Sequence, residues 1–403
     1  MIKPQTLKGF RDFLPTEAKK RQYVISILKK VFESFGFEPL ETPLLEYEEI
    51  LVGKYGDEGE KLMYRFEDNG GRRVAMRYDQ TVPLARVVAQ YQNALPLPFK
   101  RYQIQPVFRA ENPQKGRYRE FIQCDVDTMG LTSSATDAEI IAVTAKSFEK
   151  LGFKNYKILV NSRAVFGDLP TKAIIIIDKL KKIGEEKVKE ELKEKGFDPD
   201  SLSRIQNSPI PDSLSLTIKI AGKMGVDREK IIFEPTLARG LDYYTGTIIE
   251  VESPDYPTGS LGGGGRYDNL IGLFASKQVP AVGFSFGFDR IMEAMESLAI
   301  FPQNLETTKV LVTIFSLELA DRSMEIVNEL RLKNINAEIY LDANTKMEKQ
   351  LKYADQKNIP YVVLLGPKEI EKNVVTLRNM KTREQKEMSV QDIILIVSEG
   401  TKK

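Results

Sequence analysis

Residues 99–129 read FKRYQIQPVFRAENPQKGRYREFIQCDVDTM, and the alternation in this stretch decides what kind of fold the chain can have. In 99–109, Arg101, Gln103, Gln105, Val107 and Arg109 share one face at the strand period of two. In 118–129, Phe121, Gln123, Asp125 and Asp127 oppose Ile122, Cys124 and Val126 in the same manner. The segment between them, AENPQKGR, is rich in turn formers and in base, so the two strands are expected to pair as an antiparallel hairpin. A single amphipathic strand ordinarily turns its polar face to water. Two adjacent polar faces carrying both guanidinium and carboxylate suit the floor of a site for a charged small molecule.

Outward from the hairpin the pattern is mixed. Tyr23, Val24, Ile27, Leu28, Val31 and Phe32 recur at helical spacing, which predicts a core helix over 16–35 with Thr16 as its cap and Gly36 as its stop. A short extended piece with a proline at each end follows, and then VAMRYDQT at 74–81 reads as a strand. From about 165 to 230 the texture is charged and helical, as in IDKLKKIGEEKVKEELKEKG, and its charge runs read as solvated helix faces. After 305 the pattern restarts. VLVTIF, a helix over 318–333, AEIYL, a helix over 345–357, YVVLLG and VVTLRNM imply a separate α/β domain with a largely parallel sheet.

Composition excludes several chemistries. The 403 residues, 42% hydrophobic and 29% charged, hold enough apolar material for two or three domains. Histidine is absent, which removes Ser-His and Cys-His nucleophile systems and imidazole general bases. The only cysteine is Cys124, so there is neither a disulfide framework nor a cysteine-based metal cluster. The N-terminus lacks an apolar h-region and AIIII at 173–177 is too short to span a bilayer, so the expectation is a cytoplasmic protein without a membrane partner. A net charge of +2 is silent on nucleic acid.

Three further stretches carry chemistry. LARGLDYYTG at 237–246 places Arg239 and Asp242 among apolar and aromatic residues; the pair is either a structural tie or a functional cation with its neighbour. In SLGGGGRYDNLIG the four glycines are either a flexible turn or a place where backbone approaches a ligand closely. VPAVGFSFGFDRIMEAMESL alternates like a strand and turns helical at Asp289, placing Arg290 in a first helical turn, where dipole and guanidinium together favour phosphate.

YRFE, MRYDQT, FRAENPQKGRYREFIQCDVD, LARGLDYYTG, GGGGRYDNL and VGFSFGFDRI, in that order, resemble the motifs of the class II aminoacyl-tRNA synthetases and, within them, the histidyl-tRNA synthetase family. The resemblance covers essentially the whole chain. It implies an α/β (α+β) architecture with a catalytic domain at 1–305, built on a six-stranded antiparallel sheet with flanking helices and a helical insertion at about 165–230. A C-terminal α/β anticodon-binding domain at 306–403 would follow. It also implies a homodimer with the segment around Pro43 at the interface, activation of L-histidine by ATP, transfer to the 3' end of tRNA(His), and Mg2+ accompanying the nucleotide.

The same resemblance implies roles for individual residues. Arg109 would hold the ATP α-phosphate and the amino-acid carboxylate, with Arg239 opposite it, Glu111 at the adenine edge and Arg290 at the γ-phosphate. Asp79 and Thr81, with Gln80 between them, and Gln123 would surround the α-ammonium group. Asp127 and Tyr244 would hydrogen-bond the imidazole nitrogens, Tyr243 would wall the pocket, and the glycine run would pack beneath the ring. The loop from Glu111 to Arg117 would reach the tRNA acceptor end.

Where bacterial members often read FHQ and Glu, this chain has Phe121, Ile122, Gln123 and Asp127, closer to the archaeal and eukaryotic style. A carboxylate one methylene shorter needs a shifted strand or a bridging water to reach the imidazole. The alternative is the regulatory subunit of ATP phosphoribosyltransferase, which resembles the catalytic domain and binds histidine without charging tRNA. It generally lacks the C-terminal domain and parts of the LARGLDYY region, both present here. A pure RNA-binding module would leave Arg109, Arg239 and Arg290 without a purpose.

Overall fold

The computed structural model describes residues 2–400 apart from 114–115, 239–243, 276, 303–304 and 306. The chain divides into two compact units, Met1–Phe301 and Pro302–Lys403. Among the described residues no helix is long and apolar enough to cross a membrane.

In the first unit, the helix Pro15–Ser34 buries Val24, Leu28, Val31 and Phe32 along one stripe. Its start differs from the expected Thr16 cap. Pro15 occupies the first turn, where its missing N–H is not needed, and Leu14 stands at the cap without a side-chain bond. The chain then forms β1 (Glu38–Pro39), β2 (Leu45–Tyr47), β3 (Arg65–Glu67) and β4 (Arg73–Met76). The expected strand over 74–81 therefore stops at Met76, because Thr81 already begins the helix Thr81–Gln90 and Asp79 caps it by accepting from Val82 N.

The long hairpin strands β5 (Phe99–Phe108) and β6 (Glu120–Met129) pair antiparallel, with Arg101 opposite Asp127, Gln103 opposite Asp125 and Gln105 opposite Gln123. After the helix Ser134–Leu151 come β7 (Lys157–Ser162), β8 (Ile231–Phe233), β9 (Thr247–Glu252), β10 (Gly262–Arg266) and β11 (Ala281–Phe286). The main sheet runs β1-β5-β6-β11-β10-β9-β7-β8, and β2, β4 and β3 form a small sheet of their own.

This corrects the expected six antiparallel strands. The six are present as β5-β6-β11-β10-β9-β7, but β1 and β8 extend both edges in parallel and make an eight-stranded mixed sheet. A parallel neighbour needs a long crossover. For β8 that crossover is the helical insertion, five helices between Thr171 and Lys223; the first four bury their own cluster around Ile174, Ile177, Val188, Leu192 and Leu202, while Asp212–Lys223 packs Leu214 and Ile218 into the main cluster. Pro39 is tolerated in β1 because the strand lies at an edge.

One face of the sheet is packed. Tyr102, Cys124, Val126, Val282, Phe284 and Phe286 join Phe32, Phe148 and Phe288 in the largest apolar cluster. The other face carries the polar residues of β5 and β6. The four glycines form a fully buried strand in mid-sheet, not a flexible turn. A Cβ on Gly264 would lie 2.0 Å from the Gly283 carbonyl oxygen, so the close approach there is between neighbouring strands.

The second unit holds β12 (Val310–Val312), β13 (Ala337–Ile339), β14 (Tyr361–Leu364), β15 (Val375–Asn379) and β16 (Gln385–Met388) in the order β13-β12-β14-β15-β16. The expectation of a largely parallel sheet is corrected in part. β12 pairs parallel with β13 and β14, whereas β15 and β16 return antiparallel, β15 and β16 being joined by a short turn that leaves no room for a crossover helix. Val310, Val312, Ile326, Val363 and Ile393 lie in its core.

Two glycine substitutions separate the strand constraint from ordinary flexibility. Gly264→Ala is expected to cost about 3 kcal/mol or more, because the clash is with backbone. Gly222→Ala, in the helix Asp212–Lys223 with open space around it, is expected to stabilise by about 0.5 kcal/mol. Urea unfolding of both checks this, and a Gly264→Ala protein as stable as the parent would contradict it.

Candidate active site

The polar face is organised by Arg101, which is fully buried. Its Nη1 donates to Gln103 Oε1 at 3.2 Å, and its Nη2 lies 2.7 Å from Asp127 Oδ2 and 3.8 Å from Asp125 Oδ2. The 2.7 Å approach is a close ion pair without good hydrogen-bond alignment. Tyr267 O–H donates to Asp127 Oδ1, so both oxygens of Asp127 have protein partners. Gly283 stands opposite Asp127 on β11, and a Cβ there would fall 1.8 Å from Asp127 Oδ1.

Asp125 lies between Gln123 and Asp127 on β6. Its Oδ2 accepts from Gln123 Nε2 at 2.8 Å. Burial pushes its carboxyl up to about 7; the Arg101 guanidinium opposes the rise and the Asp127 carboxylate adds to it. Asp127 is also raised, by burial, against the pull of Arg101 and the Tyr267 hydroxyl. Asp79 reaches this region from the turn before the helix Thr81–Gln90, its Oδ1 accepting from Tyr55 O–H at 2.8 Å and Val82 N at 3.1 Å. Burial raises its carboxyl too, while those two bonds and then the Arg109 and Arg101 charges oppose it.

Arg109, just beyond β5, is held by stacking. Its guanidinium lies 4.4 Å from the Tyr78 ring centre and 5.0 Å from that of Phe121, and its Nε donates to Tyr78 O at 3.2 Å. A planar cation fixed on two rings keeps its outer N–H groups in one plane, the form that suits a carboxylate or phosphate. Gln80 has a different role. Its Nε2 donates to the backbone oxygens of Gln105 at 2.9 Å and Gln123 at 3.1 Å, which braces the turn against both strands. Thr81 is buried at the start of the same helix.

A second cluster surrounds the helix Phe288–Ser297. Arg290 Nη1 donates to Ser260 O at 2.9 Å, and Asp289 accepts from Arg11 at 2.8 Å and Arg21 at 3.0 Å. The Arg11 guanidinium also lies 3.2 Å from the centre of the Tyr118 ring. Glu111 pairs with Arg117 at 3.6 Å, and its carbonyl accepts from Arg119 at 2.9 Å. Tyr244 lies against Gly265, where a Cβ would come within 2.9 Å of its ring. Arg239, Asp242 and Tyr243 lie outside the described residues.

Sequence reading placed Arg101 on the right face but did not single it out, and it missed Arg77, Tyr55 and Tyr267. Arg77 is fully buried, donating to Pro106 O at 2.7 Å, Thr42 O at 2.9 Å and Gln105 Oε1 at 2.8 Å. Burial lowers its pKa to about 10. Its position in MRYDQT was the one available signal. A cavity of about 660 Å³ lined by Pro43, Leu45, Tyr47 and Tyr91 lies beside the small sheet, and Thr42 in its lining accepts from Gln103 of the polar face.

Comparison with known proteins bears on these arrangements. A family model described as histidyl-tRNA synthetase matches residues 9–208 and 201–291, and one described as anticodon binding domain matches 309–400. A histidine–tRNA ligase of Christiangramia forsetii is 41% identical, over 95% of this chain and 96% of that protein. One of Cytophaga hutchinsonii is 38% identical over 98% and 99%. The crystal structure of histidyl-tRNA synthetase from Nostoc sp. PCC 7120 superposes with a TM-score of 0.87 at 29% identity, covering 99% of this chain and all of that one.

Removing the central cation tests the electrostatic account of the face. Arg101→Met is expected to lose roughly 3–5 kcal/mol at neutral pH, since two buried carboxylates are left without their cation. Their folded pKa values lie above the unfolded ones, so the folded state gains protons as pH falls. The deficit relative to the parent should therefore shrink from pH 8 toward pH 5. Chemical denaturation across that range checks it, and a deficit that grows on acidification would refute it.

Proposed function

The chain belongs to the histidyl-tRNA synthetase family; it is a ligase that activates histidine with ATP and charges tRNA, and we propose that the polar face of β5, β6 and β11 is where the adenylate forms. The observation that carries the reading is Arg109, clamped between Tyr78 and Phe121 beside a face lined with buried acceptors. In the reaction an oxygen of the histidine carboxylate bonds to the α-phosphorus of ATP and pyrophosphate leaves. A terminal tRNA hydroxyl then bonds to the acyl carbon and AMP leaves.

Adenylate formation needs no histidine side chain, because a carboxylate is already a nucleophile and fixed cations can meet the growing charge on phosphate. Arg109 binds the substrate carboxylate and the α-phosphate, with Arg239 on the opposite side. Glu111 reads the adenine edge and Arg290 meets the γ-phosphate. Asp79, Thr81 and Gln123 receive the α-ammonium group, and Gln80 braces the turn that carries the first two. Asp127 and Tyr244 take the imidazole nitrogens. The ion pair with Arg101 and the hydrogen bond from Tyr267 leave Asp127 with lone pairs able to accept from the ring. Tyr243 walls the pocket.

Mg2+ would accompany the nucleotide and offset charge on its phosphates. Among the described residues no group of three potential ligands could hold a metal by itself. Residues 306–403 grip the anticodon stem, and the loop from Glu111 to Arg117 meets the acceptor end. Leu44, Leu45, Tyr47 and Tyr91, exposed around the cavity near Pro43, favour a second copy of the chain as partner in a homodimer. The compartment is the cytoplasm. The matched C-terminal unit speaks against the histidine-sensing regulatory reading.

Pyrophosphate exchange measured with each of the twenty amino acids is expected to depend on histidine. Asp127→Asn should weaken histidine binding by about 1.5–3 kcal/mol, the worth of a charge-assisted bond, and ATP binding much less. Equal losses for both ligands would overturn the assignment.

A chain ending at residue 307 is expected to keep exchange activity and lose most tRNA charging. Aminoacylation of tRNA(His) by the shortened chain at the parent rate would assign the C-terminal unit another task.

A further inference from the structure

Gln123 Oε1 and Asp125 Oδ1 are buried on the polar face with no hydrogen-bond donor among the described residues, as are Gln80 Oε1 on the bracing turn and Asp127 Oδ2, the last of which has its ion pair with Arg101. Gln123 is 8% exposed and Asp125 3%. Acceptors kept from water without a partner are costly, and proteins retain them where a ligand, ion or ordered water completes the set. Their immediate surroundings narrow the choice. Gln123 Nε2 donates to Asp125 Oδ2, so the amide cannot turn over without setting oxygen against carboxylate, and Oε1 is held on the far side as an acceptor.

The neighbouring charges divide unequally. Arg101 lies 2.7 Å from Asp127 and 3.8 Å from Asp125, and Tyr267 adds its hydroxyl to Asp127. Asp127 is thus the better neutralised of the two carboxylates. Asp125 has only the distant side of that guanidinium, the Gln123 amide, and Ser285, its register partner on β11. Burial raises the proton affinity of Asp125, and the Arg101 guanidinium at 3.8 Å offsets only part of that rise. A cationic donor entering this face meets at Asp125 a carboxylate whose charge is only partly compensated.

Resting on the reading that this face binds histidine, we propose that Asp125 selects for the α-ammonium group of the substrate. It positions Gln123 with Oε1 free, and it supplies its own Oδ1 as a second acceptor alongside. Asp79, by contrast, already commits Oδ1 to Tyr55 and Val82.

Two partial substrates isolate the ammonium group in competition against histidine-dependent pyrophosphate exchange by the full chain. Histidinol keeps ring and ammonium and lacks the carboxylate; 3-(imidazol-4-yl)propionate keeps ring and carboxylate and lacks the ammonium. Asp125→Asn turns one of the two acceptors into a donor in either rotamer. If the new amide N–H₂ occupies the Oδ1 position it faces the ammonium. If it turns toward Gln123, the Gln123 amide reverses.

Histidinol inhibition and the KM for histidine are therefore expected to weaken by about 30-fold, the range of a lost charge-assisted bond. Inhibition by imidazolepropionate and the KM for ATP should change by less than about 3-fold, because neither ligand uses the ammonium contact. Asp125→Ala, which also removes the acceptor and leaves Gln123 free to turn, should show the same split, so the test survives if one variant fails to fold. Equal weakening of both inhibitors, or of neither, would overturn the proposal. Histidinol failing to compete in the parent protein would instead overturn the histidine reading itself.

Discussion

A guanidinium buried in the middle of a sheet is the constraint around which the first unit is arranged. Arg101 is fully enclosed, and removing such a charge from water costs several kcal/mol unless opposite charge and acceptors surround it. β5 and β6 must therefore pair in the register that sets Arg101 opposite Asp127 and Gln103 opposite Asp125. Slippage by one residue would turn the charges into the apolar cluster around Phe284 and Phe286. The register of β6 with β11 sets Gly283 opposite Asp127, where no larger residue fits.

From that constraint the site follows by contact. Gln80 fastens the turn that carries Asp79 and Thr81 to the backbones of β5 and β6, so the groups on that turn move with the sheet. Arg77, three residues earlier, ties the same turn to Thr42 and Pro106. Arg109 is pinned on Tyr78 from this turn and Phe121 from β6. Polar groups from three separated pieces of chain are thereby held by secondary structure and stacking. Preorganisation of this kind suits a reaction whose chemistry is the placement of fixed cations beside developing charge.

Much of this was legible in the residues. The period of two in 99–109 and 118–129 identified both hairpin strands and their polar face, because a face packed on a core must be apolar at every second position. The helix at Pro15–Ser34 was legible from its stripe, though its cap was not, since Pro15 and Thr16 are both sound starts. β1 and β8, two and three residues long, are too short for periodicity to register, and so the sheet has eight strands where six were expected. The glycine run admitted two readings because strand or turn depends on what lies on either side of it, and here β9 and β11 do.

What the sequence determined by itself was the chemistry available and the face each group occupies: no imidazole, a set of arginines, and acceptors alternating along two strands. Which group meets which was decided only by the tertiary structure. Tyr267 and Asp127 are 140 residues apart, and Arg266 and Asp137, a buried ion pair beside them in the chain, 129. Alternation reports the side of a strand but not its neighbour, because pairing across a sheet is set by register and by distant segments folding together. The division of one guanidinium between two carboxylates, closer to Asp127 and farther from Asp125, is a matter of about an ångström that no spacing in the chain encodes.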